Sequence, residues 1–176
     1  PSDGLHTNGY SLARHILGSD GDPAVLRKPA RSLLGGGRDG GGTGAGGAGG
    51  NAAGEFGAGP DPDPADATVG DLLLRRHRMY LRPILPLLEA GCVRGMAHVT
   101  GGGIPENLPR ILPAGCRAAV RRGGWPVPPI FRLLVERGGI GPDEALRVFN
   151  LGVGFLVVTP PDRAAEALGR LESAGG

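Results

Sequence analysis

The residues best equipped for chemistry lie in one run, Gly95-Met-Ala-His-Val-Thr-Gly-Gly-Gly-Ile-Pro-Glu-Asn-Leu-Pro-Arg110. A short apolar segment leads into three glycines, and a helix start follows them. Such a turn places bare backbone N–H groups at a helix N-terminus, where an anion can sit. His98, Thr100, Asn107 and Arg110 flank the turn and add polar or charged groups. Arg110 has the fork geometry that clamps a phosphate through two hydrogen bonds. The expected ligand is therefore phosphate-bearing, with Gly101, Gly102 and Gly103 as its cradle. The plainer alternative is a tight turn that needs positive φ, with His98 a packed residue and Arg110 a solvated one.

A second polar cluster, His6-Thr7-Asn8-Gly9, precedes another helical pattern. His6 and Asn8 join the candidate site on the same reasoning, and ordinary helix capping by Asn8 is the alternative. Two such clusters in a small chain favour a shared ligand site. Other chemistries find no support in the spacing. No Cys/His pair has metal-ligand spacing, so no metal ligands are expected. There is no Gly-x-Ser-x-Gly elbow, and the carboxylates are scattered.

The elements that must position these residues follow from periodicity and punctuation. Helices are expected from Tyr10 to Leu17, with Leu12 and Ile16 on one face, over Thr68–Leu74 and over Leu81–Ala90. Further helices are expected over Asn107–Leu112, Ile130–Glu136, Pro142–Phe149 and Arg163–Leu171. Strands are expected over Val93–Thr100, Cys116–Val120 and Leu151–Thr159, and Arg78–Tyr80 reads as a brief extended piece. Residues 35–66 are dominated by glycine and small or polar residues. Such a segment buries too little apolar surface to offset its ordering entropy, so a flexible insertion is expected there. It is no phosphate loop, because no Gly-Lys-Ser/Thr follows. Strands and helices mix without strict alternation, which favours a layered α/β domain.

Composition bounds the rest. With 176 residues, one domain is expected; aromatics are only 4% of the chain, so the core must be largely aliphatic. The formal net charge of +2 is small, and basic residues are scattered, which argues against nucleic acid and suits an anionic small molecule. Cys92 and Cys116 are expected as free buried thiols in a reducing compartment. No segment approaches the roughly 20 apolar residues of a membrane span, and Pro1–His6 is unlike a signal peptide, so a cytoplasmic location is expected.

Four motifs, in order, carry a family resemblance: Gly4-Leu-His-Thr-Asn-Gly-Tyr-Ser-Leu-Ala-Arg14, the Gly95–Arg110 run, Trp125-Pro-Val-Pro-Pro-Ile-Phe131 and Phe149-Asn-Leu-Gly-Val-Gly154. Together they resemble the C-terminal half of phosphoribosylformylglycinamidine cyclo-ligase, also called aminoimidazole ribonucleotide synthetase. The resemblance implies an α/β (α+β) fold over residues 1–176, with a three-layer mixed sheet and flanking helices. It implies ATP-dependent cyclisation of formylglycinamidine ribonucleotide to aminoimidazole ribonucleotide, in purine biosynthesis. His6, Asn8, His98, Thr100, Gly101–Gly103, Asn107 and Arg110 would line the substrate and phosphate side. ATP and Mg²⁺ would be held mainly by an N-terminal half that this chain lacks, and the complete protein would be a homodimer. The isolated chain is expected to be inactive. Arg76-His-Arg-Met-Tyr80 departs from the family's Pro-Thr-Arg-Ile-Tyr, the insertion replaces a compact segment, and the chain stops before the family's last strand. The alternatives are a non-catalytic domain of the same fold and a related ATP-dependent ligase or kinase of the superfamily.

Overall fold

A computed structural model describes residues 1–6, 8–33 and 67–174. The flexible insertion expected at 35–66 lies outside the described residues, as does Thr7. Ten elements organise the rest: α1 (Tyr10–Leu17), α2 (Ala30–Leu33), α3 (Val69–Leu73), α4 (Leu81–Glu89), β1 (Gly95–His98), α5 (Gly103–Asn107), α6 (Pro129–Gly138), α7 (Pro142–Val148), β2 (Phe155–Val158) and α8 (Ala164–Ser173).

The main core gathers α1, α3 and α6. Leu5, Leu17, Val69, Leu72, Ile130, Phe131, Leu134 and Phe149 are buried in it. On α1 the fully inward residues are Ala13 and Leu17; Leu12 and Ile16 pack at the margin. Asn8 does not cap this helix. Gly9 takes the N-cap position at φ 76°, a left-handed conformation that suits glycine, and no side chain bonds to the helix start. A smaller cluster joins α4 to α8 through Ile84, Leu87, Cys92 and Ala167. Pro86 sits inside α4 without ending it, and the helix stops at the left-handed Gly91. A third cluster, Val99, Ile104 and Leu108, packs against the strands.

The described sheet is a single antiparallel pair, β1 with β2, in the register Gly95–Val158 to His98–Phe155. The α/β class holds, but the three-layer mixed sheet is not present among the described residues. The expected strand at Cys116–Val120 is irregular and exposed; with no ladder partner, its apolar residues have no sheet face to cover. Cys116 is exposed too, and only Cys92 is a buried free thiol. The helix expected at Asn107–Leu112 begins earlier. It starts at Gly103 behind a left-handed Gly102 and continues beyond Asn107 as a 3₁₀ turn over Leu108–Ile111. No described helix is long and apolar enough to cross a membrane.

Candidate functional site

The two polar clusters come together. Asn8, Gly9, Gly101 and Gly102 line one open cleft of about 570 Å³, with Glu106, Glu144 and Arg147 on its walls. The side-chain oxygen of Asn8 lies 3.9 Å from where a Cβ at Gly101 would stand. Asn8 Nδ2 is shielded from solvent and has no hydrogen-bond partner among the described residues. A separate apolar hollow of about 240 Å³, between Trp125, Phe131 and Leu151, contains none of the expected site residues.

The glycine triplet divides its duties. Gly103 (φ 60°) packs so tightly under α7 that a Cβ would run into the Leu146 carbonyl, so close approach requires glycine there. Gly102 (φ 90°) makes the turn, and the Glu106 side chain lies over it. Gly101 is the exposed member. The turn reading thus accounts for two of the three glycines.

Asn107 is a positioning residue. It is buried, and its Nδ2 donates to the carbonyls of Thr100, Gly101 and Gly103 at 3.3, 3.2 and 2.8 Å. Its Oδ1 accepts from the Thr100 hydroxyl at 3.1 Å and from Arg110 at 3.5 Å. With its amide saturated, Asn107 locks the turn, and Thr100 is held in the same network. Arg110 is exposed and folded back toward it.

His6 and His98 meet at a different place, and a residue outside the expected set joins them. His77 lies with its ring centroid 4.1 Å from His6 and 5.1 Å from His98. The His77 Nε2 to His98 Nε2 separation is 3.1 Å. One ligand-type nitrogen from each of the three falls within 4.8 Å of the others. The linear spacing showed no metal-ligand pair because positions 6, 77 and 98 belong to three separate segments. The only trace was the departure at Arg76-His-Arg-Met-Tyr80.

The surroundings fix these rings. His6 has φ 58°, a strained conformation for a side-chain-bearing residue. It is held there by Asn150, which is buried and donates to the carbonyls of Gly4 and Leu5 at 2.8 and 3.2 Å. Asn150 Oδ1 also accepts from Ser2 and from the backbone of Gly152. Trp125 donates to the Leu151 carbonyl at 2.8 Å, which braces the same turn. Tyr80 stands beside all three imidazoles and donates to the Pro1 carbonyl at 2.9 Å. Burial, and then the nearby Asp3 carboxylate, push the Tyr80 phenol up to about 12. Burial, reinforced by His77, lowers His6 to about 4, and the same two causes lower His98. Asp3 itself is paired with Arg78 at 3.3 Å.

Comparison with known proteins gives this geometry a context. Residues 28–176 match the family described as "AIR synthase related protein, C-terminal domain". The chain is 36% identical over 175 residues to phosphoribosylformylglycinamidine cyclo-ligase of Bifidobacterium animalis subsp. lactis, covering 99% of the chain and 42% of that protein. The protein of the same name from Myxococcus xanthus is 37% identical over 175 residues, with 99% and 41% covered. The one from Bacillus subtilis is 34% identical over 174 residues, also with 99% and 41% covered. The chain thus spans about two fifths of the length of these curated relatives. On the match over most of its length, the chain belongs to the family of AIR synthase related proteins, as its C-terminal domain.

Proposed function

We propose that this chain is the substrate-side part of an ATP-dependent cyclo-ligase that closes formylglycinamidine ribonucleotide to aminoimidazole ribonucleotide. The observation that carries the reading is the convergence of two separate motif loops, at Asn8–Gly9 and Gly101–Gly102, on one open cleft. The names of the full-length relatives supply the reaction class. In this reading the first-turn N–H groups of α1, the unpartnered Asn8 amide and Arg147 receive the anionic part of the ribonucleotide. Asn107 and Thr100 keep the Gly101 backbone in place. Their work is orientation: an intramolecular ring closure is accelerated by holding its two reacting parts together.

ATP, when bound, supplies the phosphoryl group that activates the amide oxygen. Among the described residues the one convergent set of metal-ligand atoms is three imidazole nitrogens. Mg²⁺ takes oxygen ligands, so that set does not fit it. ATP and Mg²⁺ are assigned mainly to an N-terminal half, with the complete protein a cytoplasmic homodimer.

The test joins the chain to a complete ATP-binding half and measures ring closure. Asn8→Ala and Arg147→Ala, which remove the two cleft side chains assigned to the anion, should each lower kcat/KM by roughly tenfold or more, the equivalent of about 1.4 kcal/mol of transition-state stabilisation. Full activity in both variants would refute the site assignment. A non-catalytic binding domain of the same fold is the second reading, favoured by the Glu106 side chain lying over Gly102. It predicts ribonucleotide binding without turnover in the joined protein.

A further inference from the structure

We propose that His6, His77 and His98 form a binding site for a zinc-type divalent metal ion. The site stands on geometry independent of the cyclo-ligase reading. Three imidazoles from three separate segments converge, with one nitrogen of each within 4.8 Å of the others. Tetrahedral zinc with Zn–N bonds of about 2.0–2.1 Å sets its nitrogen ligands roughly 3.3 Å apart. The His77–His98 pair is already at 3.1 Å. The His6 nitrogen needs to close by no more than about 1.5 Å to reach the spacing of that tetrahedron, a movement within reach of side-chain rotation.

The protonation pattern supports the same assignment. His77 Nδ1 lies 2.8 Å from the Arg78 carbonyl oxygen. A carbonyl only accepts, so Nδ1 carries the ring proton and the Nε2 lone pair faces His98. Backbone carbonyls orient metal-ligating histidines in this way. His6 is only 4% exposed. Both its ring nitrogens are shut off from solvent and lack a hydrogen-bond partner among the described residues. Leaving such a group unpaired is costly, and a metal ion at the centre of the cluster satisfies one of the two nitrogens. Arg78, which follows His77 in the chain, is offset by its ion pair with Asp3.

Ligand chemistry selects the ion. Imidazole nitrogen suits Zn²⁺, Co²⁺, Ni²⁺ and Cu²⁺, whereas Mg²⁺ and Ca²⁺ take oxygen. Three protein ligands leave one tetrahedral position for water or an anionic oxygen.

The test uses the purified, metal-stripped chain with zinc chloride alone, titrated against a chromophoric chelator, and with Co²⁺ followed by visible absorption. One Zn²⁺ per chain is expected to bind at micromolar concentration or below, with Co²⁺ giving the intense bands of a tetrahedral site. Millimolar Mg²⁺ should not compete. His77 is exposed, so His77→Ala should fold, which circular dichroism checks. That variant and His98→Ala should each weaken Zn²⁺ binding by at least about 100-fold, beyond the loss usual for an outer-shell partner. His15→Ala, which changes the remaining histidine on α1, should bind as the parent chain does. Unchanged binding in folded His77→Ala, loss in His15→Ala, or no binding below millimolar Zn²⁺ would each overturn the proposal. No ATP or substrate enters the assay, so its failure leaves the cyclo-ligase reading untouched, and the reverse holds.

Discussion

Two buried asparagines do most of the positioning around the site, and each works by saturating its side-chain amide. Asn107 ties the carbonyls of Thr100, Gly101 and Gly103 into one turn. Asn150 ties the chain start to the turn before β2, and so holds His6 in its left-handed backbone. Gly154 completes the arrangement: a Cβ there would clash with the Tyr80 hydroxyl and stand 2.9 Å from His6 Cε1. Asn150→Ala strands the Gly152 N–H, and it leaves the Gly4 and Leu5 carbonyls with only the Ser2 hydroxyl at 3.4 Å and the Asn8 N–H at 3.3 Å. Leaving buried groups unpaired costs about 1–3 kcal/mol each, so a loss of about 3 kcal/mol is expected. For a chain of this length that lowers the melting temperature by roughly 6–12 °C. Calorimetry on the two proteins checks it, and an unchanged melting temperature would remove Asn150 from its bracing role.

At the scale of the element, α3 has the most complete local stop-and-start chemistry. Thr68 accepts from the Asp71 backbone N–H at 3.1 Å, while the Asp71 carboxylate accepts from the Thr68 N–H at 2.8 Å and from its hydroxyl at 2.7 Å. This capping box anchors the helix that buries Val69, Leu72 and Leu73. The hydrogen bonds from Thr68, side chain first and then backbone, hold the Asp71 carboxyl below the usual carboxylate range. A carboxyl depressed in the folded state stabilises the fold above its unfolded pKa of about 3.9, and that contribution disappears as pH falls through the lower folded value. Asp71→Asn should therefore flatten the acid limb of the stability curve while leaving its neutral slope unchanged. Urea midpoints measured from pH 7 down to pH 2.5 test this, and an unaltered acid limb would show that the box carries no pH dependence.

Elements of this kind were legible because their signals are local. The α1 bounds and the strands at Gly95–His98 and Phe155–Val158 fall inside the expected segments. Cys116–Val120 forms no strand because apolar content alone does not supply a pairing partner, and α5 starts early because the left-handed Gly102 opens it before the polar residues arrive. The candidate site was half legible. Asn8 and the glycine turn do share a cleft. His77 was invisible as a partner of His6 and His98 because nothing in linear spacing reports a contact among positions 6, 77 and 98.

Across the whole molecule, the cleft decides what this chain does by itself. Its described walls offer Asn8, the Gly101–Gly102 backbone and Arg147, but also the carboxylates Glu106 and Glu144. Carboxylates beside a triphosphate repel it unless metal or further cations intervene. The three-histidine cluster does not provide a Mg²⁺ site. The relatives named as cyclo-ligases are about two and a half times as long as the stretch they share with this chain. The purified 176-residue chain is therefore expected to show no ring closure with ATP, Mg²⁺ and formylglycinamidine ribonucleotide, while a separately expressed ATP-binding half restores it in a concentration-dependent way. Product formation followed by mass spectrometry distinguishes the cases. Turnover by the chain alone would place the ATP site among its own residues and overturn the division of labour argued from the cleft.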